Sequence, residues 1–96
     1  MTTEATAKVI QVLSKVEGVS SKIGKAWEKY IYLMESLGKN PTSIVVTMFN
    51  YGNSVGTALE LGKDVRMTLR IEAHPGAKDK SKWYNEVSII NVLEFN

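Results

Sequence analysis

The side chains in this chain that could do chemistry are cations and flat rings. It carries 12 lysines and arginines, 2 tryptophans, 4 tyrosines and 2 phenylalanines, against one histidine and no cysteine. Lys22, Lys25 and Lys29 crowd one short segment and Lys78, Lys80 and Lys82 another, with only Glu28 and Asp79 as acids among them. Aromatics adjoin both clusters, in Lys25-Ala26-Trp27 and Lys82-Trp83-Tyr84. Ammonium groups neutralise phosphates and rings stack on bases, so this pairing points to single-stranded nucleic acid. Trp27, Phe49 and Trp83 are the candidate stacking residues. Lys22, Lys25, Lys29, Lys78, Lys80 and Lys82 are the candidate phosphate contacts, with Arg66 and Arg70 behind them. A plainer use exists for each: aromatics bury most of their area in small domains, and Arg66 and Arg70 can pair with Glu72 or Glu86 across strands.

Other chemistries find little support. Without cysteine there is no disulfide framework, thiolate metal site or thiol nucleophile. His74 precedes Pro75-Gly76 and reads as a solvated turn residue, and one histidine without clustered acids builds no transition-metal site. No nucleophile elbow, phosphate loop or H-E-x-x-H motif is present, so we expect a non-enzyme without cofactor or metal. The net charge is only +2, which makes the distribution of charge more telling than its sum. No apolar run approaches the ~20 residues of a membrane span, and Met1-Thr2-Thr3-Glu4-Ala5-Thr6 has neither the basic start nor the apolar core of a signal peptide. A cytoplasmic protein with no membrane partner is expected. A length of 96 residues and a hydrophobic fraction of 44% predict one folded domain over residues 1–96.

The elements that must position these groups read as strands. Asp64 to Glu72 alternates throughout, with Val65, Met67, Leu69 and Ile71 on one face and Arg66, Thr68, Arg70 and Glu72 on the other. Ala7 to Leu13 reads as a first strand, and residues 16–25 as a loop rich in glycine and serine. Trp27 to Glu35 divides into Trp27/Lys29/Ile31/Leu33 and Tyr30/Tyr32/Met34. In Ser43 to Asn50, Phe49 projects outward if Ile44, Val46 and Met48 face in. Tyr51-Gly52-Asn53 is turn chemistry, and residues 51–63 read as one short helix or an irregular connection closed by Gly62. The last strand runs from Lys82 to about Phe95, with a bulge or two-sided burial at Ile89-Ile90. Tyr30, Tyr32 and Tyr84 read as structural. The apolar Ile31 and Leu33, on a face that should lie outside, point to a subunit interface and a homo-oligomer, a dimer or tetramer.

The expected fold is all-β: a five-stranded OB-type Greek-key barrel with its one helical or irregular segment between strands three and four. An SH3-like barrel is the nearest competitor. On three segments the chain resembles bacterial and phage single-stranded DNA-binding proteins of the OB type, and more nearly a small, poorly characterised domain family of the same layout. These are Lys25-Ala26-Trp27-Glu28-Lys29-Tyr30, Val45-Val46-Thr47-Met48-Phe49-Asn50-Tyr51-Gly52, and Leu59-Glu60-Leu61-Gly62-Lys63-Asp64-Val65-Arg66, followed by Lys82-Trp83-Tyr84-Asn85-Glu86-Val87. The resemblance implies an OB barrel, affinity for single strands and often homo-oligomers. In that fold ligand lies across strands two and three, between the loops joining strands one to two and four to five. A non-catalytic assembly module and an RNA or oligosaccharide binder are the alternatives the residues leave open.

Overall fold

The computed structural model describes residues 1–22 and 24–95. Its strands are β1 (Thr2–Val19), β2 (Ala26–Ser36), β3 (Ser43–Tyr51), β4 (Asp64–Pro75) and β5 (Trp83–Phe95). They close into a barrel in the order β1-β2-β3-β5-β4. All neighbours run antiparallel except β3 and β5, whose short parallel seam pairs Thr47 with Ser88 and Met48 with Ile89. The barrel is therefore OB-like, as the strand count and the long connection after β3 predict.

Alternation decides what fills it. Tyr30, Tyr32 and Met34 from β2, Val46 and Met48 from β3, Val65, Met67 and Leu69 from β4 and Ile89 from β5 form the core with Ala7 and Val9. Burying side chains of this size contributes about 1.5–3 kcal/mol each. Ile90 is the extra residue of a β5 bulge and points to solvent, while Ile89 stays inside. The bulge expected at this pair is present.

Local expectations change at three strands. β1 is not confined to Ala7–Leu13. It runs from Thr2 to Val19, so residues 16–19 are strand, and β2 begins at Ala26. Gly18 sits within this strand because the Trp27 ring lies over it: a Cβ there would come within 2.9 Å of the indole. The other end of β4 extends to Pro75, and β5 begins at Trp83.

No α-helix forms among the described residues between β3 and β4. The connection starts with a 3-10 turn over Gly52–Ser54 and continues as an irregular strap. Two bonds tie the strap to β1, where Val9 donates to the Lys63 carbonyl (3.0 Å) and accepts from Gly62 N–H (2.7 Å). A third comes from within the barrel, where the buried Tyr32 hydroxyl accepts the Leu59 N–H at 3.0 Å. Removing one partner of a buried bond costs about 1–3 kcal/mol. Tyr32→Phe is expected to lower the melting temperature, by roughly 4–8 °C per kcal/mol for a domain of this size, in thermal unfolding followed by circular dichroism. An unchanged midpoint would show that the strap is held by other contacts.

Candidate nucleic-acid interface

The outer face of β2 and β3 is where the rings and lysines gather, and the register explains how. Trp27 pairs with Tyr51, Lys29 with Phe49, Ile31 with Thr47 and Leu33 with Val45. Side chains in these rows share one face, because strand side chains alternate with period two. Phe49 and Tyr51 are therefore neighbours, stacked at 6.0 Å between centroids and 12° between planes. They remain 43% and 56% exposed, so their outer faces are open to a ligand. The Lys29 ammonium lies 5.6 Å from the Phe49 ring centre, a cation–π distance.

Two hollows occupy this face. One is bounded by Val19, Ser20, Ser21, Lys22, Trp27, Phe49 and Tyr51. Lys25 lays its side chain beside Gly52 next to it. The other, of about 300 Å³, has Ile31, Val45 and Thr47 as floor and Tyr84 and Glu86 of the β4–β5 hairpin among its walls. Phe49 and Val45, one in each hollow, are ~13 Å apart along β3. The two lysine loops thus bracket the ends of one groove instead of meeting.

The hairpin end is built by short-range bonds. Asp79 accepts from the Ser81 hydroxyl (2.6 Å) and N–H (3.0 Å), while Gly76 N–H donates to the Lys82 carbonyl (2.8 Å). The Ser81 hydroxyl and then its N–H hold the Asp79 carboxyl below the usual aspartate range. Lys78, Lys80 and Lys82 project from this ordered turn and are exposed. Trp83 and Tyr84 follow at 63% and 59% exposure.

Trp27, Phe49, Lys22, Lys25 and Lys29 come together at one end, and Lys78, Lys80, Lys82 and Trp83 at the other. Arg66 and Arg70 join neither group. They lie on β4, which β5 separates from β3, and pair with Glu4 (3.3 Å) and Glu72 (2.5 Å) respectively. Two further rings reach this face. The sequence places Tyr51 in a turn, yet its period-two spacing from Phe49 is the signal that puts it beside that ring. Tyr84 reads as structural but opens onto the groove, opposite His74 in the β4–β5 register.

Behind the face is a polar latch. Glu28 is 1% exposed, on the inner side of β2. Its Oε1 accepts from Asn50 Nδ2 (3.0 Å) and from Gly56 N–H (2.7 Å), and its Oε2 from the Tyr30 hydroxyl (3.5 Å). Ser54 completes the arrangement, its hydroxyl accepting Tyr51 N–H (2.9 Å) and donating to the Tyr51 carbonyl (2.8 Å). The latch so fixes the backbone that presents Tyr51.

Protein-family models, curated proteins and solved structures were compared with the chain, and none matches it. Among the described residues no three histidine, cysteine, aspartate or glutamate side chains gather as a metal site, and no helix is long and apolar enough to cross a membrane.

The Asn50 amide first, and the Gly56 N–H next, hold the Glu28 carboxyl below the ordinary glutamate pKa. A group depressed in the folded state stabilises fully above the unfolded-state value, about 4.3. Below it the unfolded chain takes up the proton first, so stability falls until the pH has passed the folded value. Glu28→Gln is expected to weaken this acid dependence and to lower stability at neutral pH, as read from denaturant midpoints across pH 2–7. An acid limb identical to that of the wild type would show that the latch is not what titrates.

Proposed function

We propose that the protein binds single-stranded DNA with little sequence preference, without catalysis, along the outer face of β2 and β3. The observation that carries this reading is the exposed, stacked Phe49–Tyr51 pair with Lys29 against it and Lys22 and Trp27 beside it. Bases stack on rings whatever their identity, and lysines that track the backbone add a salt-sensitive term. The hairpin lysines and Trp83 extend the contact at the far end of the groove. The same face accepts single-stranded RNA by the same two interactions, and a cytoplasmic, membrane-independent role is part of the proposal. So is a homo-oligomer. Ile31 and Leu33 suit its contact surface by apolarity, yet Ile31 also lines the groove and Leu33 lies across from Val45.

Anisotropy of a labelled oligo-dT, titrated at low and moderate salt with a matched RNA alongside, tests the proposal. Binding that weakens with salt is expected. Phe49→Ala and Tyr51→Ala should each weaken binding by ~1–3 kcal/mol, roughly five- to 150-fold, with the fold retained. Trp27→Ala should also lower stability, because its ring packs over Gly18. Absence of binding to either nucleic acid at low salt would overturn the reading and favour an assembly module.

A further inference from the structure

Between the strap and the barrel lies a cavity of about 300 Å³. Met48 of β3, Val65 of β4 and Val92 of β5 line it from the barrel, and Leu59 lines it from the strap. All four are buried or half-buried. The cavity shares no residue with either hollow on the β2–β3 face. Apolar cavities of ~150 Å³ stay dry and take up benzene. This one has twice that volume, which is the lower end of the range for small-molecule pockets, and barrel mouths are a common place for them.

Among the buried and half-buried lining residues, only Asn50 has a polar amide, and it is 8% exposed. Its Nδ2 donates to Glu28 Oε1 (3.0 Å) and to the Thr57 carbonyl (3.4 Å). The Glu28 carboxylate can only accept, so it fixes which way the amide faces. The Leu59 N–H is spent on the Tyr32 hydroxyl. What Asn50 keeps is its Oδ1, an acceptor to which no described residue donates. A buried acceptor without a donor is costly, so a ligand that brings a donor is favoured here.

Charge narrows the class further. The buried Glu28 carboxylate stands one hydrogen bond behind Asn50 and repels an anion. It already has three donors of its own, so it leaves no free partner for a buried ammonium, whose desolvation would go uncompensated. Glu60 and Lys63 on the exposed part of the lining carry opposite charges and select neither sign. A neutral hydroxyl meets these conditions. Thioethers make favourable contacts with aromatic rings, which suits Met48 to a flat partner, and a rigid ring gives up little freedom on binding.

We infer that the cavity under the strap binds a small neutral phenol, one ring bearing a hydroxyl. The ring packs on Met48, Leu59, Val65 and Val92, and the hydroxyl donates to Asn50 Oδ1. This site does not depend on the proposed strand binding and stands or falls separately from it.

Titration of the protein with p-cresol, followed by NMR, tests the inference. Saturable shifts are expected at the Met48, Leu59, Val65 and Val92 methyls and at the Asn50 side-chain amide, with a dissociation constant of ~1 mM or lower. Toluene has the ring without the donor and should bind about fivefold more weakly. p-Toluate, with an anionic end, should give no saturable shift at these groups. Ala58 is an exposed strap residue on the lining, so Ala58→Phe should obstruct the cavity, keep the fold and lose the p-cresol shifts. Methyls unmoved by ~10 mM p-cresol, or shifts confined to Phe49 and Tyr51 on the outer face, would overturn the site. Toluene or p-toluate binding as tightly as p-cresol would overturn the assigned ligand class. If Ala58→Phe fails to fold, the three ligands compared on the wild type decide the matter.

Discussion

Much of the structure depends on one buried carboxylate. A five-stranded barrel whose β3–β4 connection forms no α-helix must still cover its open end and pair the polar groups left there. Glu28 does this by taking donors from Asn50 on β3, from Gly56 in the strap and from Tyr30 on its own strand. A buried charge is tolerated only when it is met by such donors. Because all three come from different parts of the chain, satisfying the charge also sets where the strap runs. The strap in turn leaves Tyr51 extended at the end of β3, in line with Phe49. The backbone on either side of Tyr51 is thus tied to a carboxylate on the inside.

The face that results is not uniformly basic. Lysines occupy its two ends, while Glu72, His74 and Glu86 lie on the hairpin between the tip and the barrel. Arg70 is taken up by Glu72, whose other carboxylate oxygen lies 3.3 Å from His74 Nε2. Exposed pairs of this kind contribute about 0–1 kcal/mol to stability, so their main effect is on the local field. They remove positive charge from β4 and leave it concentrated beside the rings. A chain with a net charge of +2 thus keeps its lysines clustered at the two ends of the face.

β1 does three jobs along its length. Its first residues close the barrel against β4, its middle anchors the strap at Val9, and its last third leaves the barrel as a ribbon with β2. The bulges at Ile10 and Leu13 mark the change, since an extra residue bends a strand and raises its twist. Beyond them Gly18 receives Trp27, and the opposite edge is left free. The ribbon belongs to the same sheet as the groove, so anything paired to it extends the groove's surface.

What the sequence determined by itself was the part governed by local periodicity. Unbroken alternation in 64–72 and the two faces of 27–35 placed Val65, Met67, Leu69, Tyr30, Tyr32 and Met34 inside, because a period of two leaves no other face for them. The same rule sent Phe49 and Lys29 outward. The doublet Ile89-Ile90 announced its bulge. Tertiary structure alone decided the rest. Gly18 looked like a loop residue because glycine weakens isolated strands, and only the indole packed over it makes it a strand position. Glu28 lies in phase with Tyr30, Tyr32 and Met34, but nothing local reveals that Asn50 and Gly56, 22 and 28 residues away, would supply its donors. Arg66 alternates as regularly as Lys29, yet the strand order places it on β4, away from β3, where a partner on β1 claims it. Periodicity tells a side chain which way to point; only the closure of the barrel tells it what it will meet there.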